Sequence, residues 1–209
     1  MSPQPENLAV TPPASSNSAA AAQNEFTPEE RSILLQLAHQ SILSALEHRE
    51  ISLDPPSPHF SEPRGAFTTI YLQGVLRGCV GYVLPVFSLY RTVAETARAA
   101  AFEDTRFSPV TLAEAPALEV SLSILSPLKA IKPEEIEIGV HGLVVAQGGR
   151  RGLLLPQVPV EHHWDRITFI EQTCHKAGLP RDAWQNGATL EVFSAEVFGD
   201  RECGERVPA

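Results

Sequence analysis

Arg77-Gly78-Cys79-Val80-Gly81 places one thiol in an apolar β-type run, with glycine before it and again two residues after it. Small neighbours leave the sulfur unscreened and let another backbone or a ligand come close. Strand alternation sends Arg77, Cys79 and Gly81 to one face, where a guanidinium would favour the ionised thiol, the nucleophilic and redox-active form. The competing reading is a small buried cysteine that packs like a methyl group. Two further constellations hold titratable groups. In Asp104-Thr105-Arg106 an acid and a base flank a predicted helix end, a spacing that suits either an ion pair fixing a loop or a binding site. Glu161-His162-His163-Trp164 leads into a predicted helix, whose positive end keeps carboxylates ionised and lowers imidazole basicity, so Glu161 or His162 is a candidate general base. His141, before Gly142 on a predicted strand, and Gln157 are further binding candidates.

A metal is tested on His162, His163, Cys174 and His175. On one straight helix positions 162 and 174 stand roughly 18 Å apart, too far for shared coordination near 2 Å. No Cys-x-x-Cys, His-Glu-x-x-His or phosphate-binding glycine loop is present, so neither metal nor cofactor is expected.

The elements that must position these groups follow from pattern. Residues 1–25 are rich in Pro, Ser, Ala, Asn and Gln without hydrophobic period and read as a disordered tail. Thr27-Pro28-Glu29-Glu30 is a capping box opening a helix through Ala45, and the Pro-rich stretch 54–58 ends it. Ala66 to Leu72 and Val75 to Val83 form a hairpin over Gln73-Gly74, with the thiol on its second strand. Ser88 caps a helix to about Phe102, and Leu118 to Ile124 alternates as a half-buried strand. A second hairpin turns over residues 147–150. Trp164 to Ala177 reads as a helix stopped at Gly178, and Thr189 to Val197 as a final strand. The order predicts an α+β domain over residues 26–198 with a mixed or largely antiparallel sheet and flanking helices, then a polar tail at 199–209.

With 209 residues and 43% hydrophobic content the chain can build a sizeable core, and its net charge of -9 argues against general nucleic-acid binding. Three cysteines and no secretory or spanning segment point to reduced thiols in a cytoplasm, away from membranes.

Read in order, Leu76-Arg77-Gly78-Cys79-Val80-Gly81, Ala100-Ala101-Phe102 with Asp104, Arg106-Phe107 and Pro109, Glu119-Val120-Ser121, His141-Gly142-Leu143, Gly152 to Val158, Trp164-Asp165, Phe169, Thr173-Cys174, Lys176 to Leu179 and Trp184 resemble the AMMECR family, also called AmmeMemoRadiSam system protein A. The resemblance spans about Thr27 to Phe198. It implies two unequal lobes around a cleft, the Arg-Gly-Cys strand as signature, and Memo-like and radical SAM proteins as partners. It assigns no reaction, so a cleft cysteine acting on a small molecule or modified biomolecule stands beside a non-catalytic adaptor. Tyr82, where the family has a small polar residue, and Thr105, where it often has proline, depart from the pattern.

Overall fold

The computed structural model describes residues 25–203; the expected tail before Glu25 lies outside them. Helix α1 (Pro28–Leu46) starts as the capping box requires: Thr27 Oγ1 accepts the Glu30 N–H at 3.2 Å and Glu30 accepts the Thr27 N–H at 2.9 Å. A single turn, α2 (Pro58–Ser61), interrupts the Pro-rich loop. Strands β1 (Ala66–Leu72) and β2 (Val75–Tyr82) form the expected hairpin, with Gln73 at φ 52° and Gly74 at φ 79°. Positive φ at both central residues is the tight turn that matches strand twist. Helix α3 (Leu89–Phe102) is capped by Ser88, and β3 (Leu118–Leu125) follows.

The second half contains β4 (Lys129–Ala130), β5 (Gly142–Gln147), β6 (Arg150–Leu154), α4 (Gln157–Glu161), α5 (Arg166–Lys176), β7 (Thr189–Phe193), β8 (Ala195–Gly199) and α6 (Asp200–Cys203). Two antiparallel four-stranded sheets result, ordered β2-β1-β3-β8 and β4-β7-β5-β6. The fold is α+β, as the pattern predicts. The expected last strand is in fact two, because the chain changes sheets at Ser194. There Ser126 N–H donates to the Ser194 carbonyl at 2.9 Å, and Ser194 N–H to Ser126 Oγ at 3.1 Å.

Each sheet buries one face. Ile70, Val120, Leu122, Ile124 and Phe198 of the first sheet pack under α1 and α3, whose alanines permit close approach. Leu143, Val145, Leu190 and Val192 of the second pack under Phe169, Ile170 and Cys174 of α5. A small third cluster, Leu125, Val144 and Phe193 with Phe67 and Leu153 against it, joins the two sheets. The segment expected as a polar tail contributes structure: Asp200 accepts the Val120 N–H at 2.6 Å and pairs with His39 at 2.9 Å.

Gly78 lies under α3, where a Cβ would run into the Ala100 carbonyl oxygen. Its first duty is therefore helix-on-sheet packing. Gly78→Ala is expected to lower stability by about 1–3 kcal/mol through overpacking, read as a lower denaturant midpoint at unchanged slope.

Candidate active site around Cys79

The decisive local feature is an irregularity in the hairpin. Leu72 pairs with Val75 and Tyr71 with Leu76, but Ile70 then pairs with Gly78, so Arg77 stands opposite no residue of β1. Such a bulge inserts one residue, re-aims a side chain and flips the parity of everything beyond it. Without it Cys79 would pair with Thr68, which is buried against α3 and shares a hydrogen bond with Thr96 at 2.8 Å. With it Cys79 pairs with Thr69 on the opposite, open face.

Cys79 is half-buried, and its sulfur accepts a hydrogen bond from Thr69 Oγ1 at 3.3 Å. Register continues this row along the face through Ser121, and the next row holds Gly81, Phe67 and Ser123. Gly81 does not leave that flank open, since a Cβ there would strike the Phe67 ring. Tyr71 belongs to the same face; burial and then the neighbouring thiol push its phenol up.

β2 is an edge strand, and the N–H and C=O of Cys79 point away from β1. Asp104 Oδ2 accepts that N–H at 2.8 Å, and Arg106 donates to that C=O at 3.4 Å. The two side chains are themselves paired, Arg106 Nε to Oδ1 at 2.9 Å and the terminal nitrogen to Oδ2 at 2.7 Å. An acid and a base thus imitate a neighbouring strand and cap the edge at this one residue. The turn closes by Phe107 N–H to the Asp104 carbonyl at 3.0 Å, and Thr105 occupies the position of a turn that accepts proline equally well.

Arg77 is not beside the sulfur as strand alternation would have it. Its guanidinium reaches Ser108 O at 2.6 Å, Pro109 O at 3.2 Å and Glu114 at 3.0 Å. The cation at Cys79 is Arg106, placed by the sequence only in a loop. Glu114, absent from the sequence reading, also accepts the Thr111 N–H and hydroxyl at 2.8 Å each. The two carboxylates feel these partners strongly: Arg106 first, aided by the Cys79 and Arg106 N–H groups, holds Asp104 at about 2 against burial. Arg77, then Thr111, holds Glu114 at about 2.

The other sequence candidates lie on the second lobe. Glu161 ends α4 and is exposed; His162 is exposed and stacks on half-buried Trp164 at 4.7 Å between centroids. The helix α5 begins only at Arg166, capped by Asp165, so the His162–His163 pair is on a turn before it and not on the same helix as Cys174. His141 Nδ1 accepts the Glu137 N–H at 3.1 Å and closes a turn, while Gln157 opens α4. Burial raises the Cys174 thiol, which is sealed in the second core. The three metal-capable residues whose ligand atoms approach one another, among the described residues, are Glu25, His59 and Glu62. Buried Arg64 already pairs with both carboxylates, so this cluster is an ion-pair network tying the chain before α1 to α2.

An α+β protein of two antiparallel sheets, presenting a clamped cysteine on the face of the first sheet opposite α1 and α3, is the class defined here. Residues 35–198 match the family model AMMECR1, and the chain belongs to that family. It is 40% identical over 179 residues to a protein of Aquifex aeolicus, covering 81% of this chain and 92% of the relative. Protein MJ0810 of Methanocaldococcus jannaschii is 39% identical over 187 residues, covering 85% and 93%. The crystal structure of uncharacterized protein PH0010 from Pyrococcus horikoshii superposes with a TM-score of 0.63 at 36% identity, covering 85% of this chain and 96% of that one.

Because both carboxyls have a lowered folded-state pKa, their contribution to stability is complete above the unfolded carboxylate range of about 4 and is lost as pH falls toward about 2. Asp104→Asn is therefore expected to be less stable than wild type at pH 7, with the gap closing on acidification. Urea midpoints measured through that window check the sign.

Proposed function

We propose that Cys79 is the working group of this protein, a nucleophile or redox thiol acting on a small metabolite or a modified biomolecule at the open face of the first sheet. The observation that carries this reading is the setting of Cys79: a residue half-buried rather than sealed, its sulfur hydrogen-bonded by a hydroxyl, on a strand whose edge groups at that residue are both satisfied. Fixing a nucleophile in place beforehand is what an active site must do. In covalent attack the thiol gives its proton to solvent water, the sulfur pair forms a bond to an electrophilic carbon, and the leaving group departs with its own bonding pair and takes up a proton from solvent. Arg77, through Glu114, and Asp104 with Arg106 position the strand; Gly78 and Gly81 allow its close packing. Glu161 and His162 are the acid–base candidates, with His141, Gln157 and Trp164 as binding candidates on the second lobe. A reducing cytoplasm suits a working thiol, and no described helix is long and apolar enough to cross a membrane.

A second reading is an adaptor that docks a radical SAM or Memo-like protein of an AmmeMemoRadiSam system. It is favoured by the fact that the charged groups around Cys79 are spent on holding the 104–114 segment, and by the exposed apolar Leu84 and Val86 just beyond β2.

Iodoacetamide labelling read by peptide mass spectrometry is expected to modify Cys79 and spare Cys174. Thr69→Val is expected to slow the Cys79 reaction about fivefold at neutral pH, the worth of one hydrogen bond. Labelling no faster at Cys79 than at Cys174 refutes the thiol reading. Cys79→Ser that preserves pathway output and partner copurification, where charge reversals at the surface abolish both, establishes the adaptor instead.

A further inference from the structure

On the helix side of the first sheet, away from Cys79, a cavity of about 230 Å³ opens between the end of α1, the segment after it and α3. Its apolar wall is Ile51, Leu53 and Ala94. Its charged groups are of both signs, and they differ in how they are satisfied. Arg49 pairs with Glu47, and Glu95 with Arg91. The exposed side chains of Arg98 and Glu50, which line the same cavity, make no hydrogen bond or ion pair among the described residues. For an arginine that is unusual in this chain. Every other described arginine except Arg166 holds a carboxylate or a carbonyl, and Arg166 does not line this cavity.

An anion alone would meet Glu50 and Glu95, and a cation alone would meet Arg98 and Arg49. A molecule carrying both charges on an aliphatic body complements all three parts of the wall at once. The volume lies below the roughly 300–1,000 Å³ of drug-sized sites, which fits a ligand of amino-acid size. We propose that this groove binds a small aliphatic zwitterion of the α-amino-acid class, its carboxylate on Arg98, its ammonium on Glu50 and its side chain against Ile51 and Leu53. This site is separate from the thiol and stands whether or not Cys79 is reactive.

L-leucine titrated into the full-length protein, followed by amide chemical shifts, tests it. Saturable shifts confined to residues 49–53 and 94–98 are expected, with isovalerate and isoamylamine, each lacking one charge, binding about tenfold more weakly or less, the loss of one charge-assisted hydrogen bond. Arg98→Gln and Glu50→Gln, both on exposed side chains, are each expected to weaken leucine by a similar factor while leaving the melting temperature unchanged. Shifts that do not saturate, that are equal for the singly charged probes, or that persist unchanged in both variants overturn the proposal.

Discussion

One extra residue in β2 governs the site. Arg77 has no partner across the hairpin, and every side chain beyond it therefore changes face. The sulfur is moved from a layer shared with Thr68 and Ile70, under the alanines of α3, to a row shared with Thr69 and Ser121 on the opposite side of the sheet from α1 and α3. Whether this thiol is a packing atom or an accessible group is decided by backbone register, not by its own environment of charges.

A bulge on an edge strand weakens the ladder where it occurs, and the chain compensates with ionic contacts. Two arginine–carboxylate clamps, one at Cys79 and one at Arg77, fasten the 104–114 segment along the free side of β2. Each carboxylate also takes a backbone N–H: Asp104 that of Cys79 on the strand edge, Glu114 that of Thr111 within the clamped segment. The lowered pKa values of Asp104 and Glu114 are the electrostatic signature of that double role.

Much of this was legible beforehand. The capping box at Thr27, the Gln73-Gly74 turn, the cap at Ser88 and the alternation from Leu118 are local signals, and local physics decides them. Family membership was readable from the motifs between Leu76 and Trp184. What escaped was non-local. Strand alternation assumes an unbroken ladder, so it put Arg77 beside the thiol; only pairing with β1 reveals the skipped residue. Glu114 and Thr69 carry no motif, since their roles exist only once two segments distant in sequence meet. The run Thr189 to Val197 reads as one strand, yet its apolar phase moves from even positions, Leu190 and Val192, to odd ones, Phe193, Ala195 and Val197, and that slip is the mark of the change of sheet at Ser194.

That change of sheet has an architectural meaning. Residues 129–193 form the whole second sheet with its own helix and its own apolar cluster, and the chain enters and leaves this unit beside Ser126 and Ser194. Its two ends are within hydrogen-bonding distance of each other, the geometry of a module spliced into a surface turn of a host. The lobe that carries the cysteine is thus continuous without the insert, β3 pairing with β8 beside the splice, and the cluster of Leu125, Val144 and Phe193 fastens the inserted lobe against it.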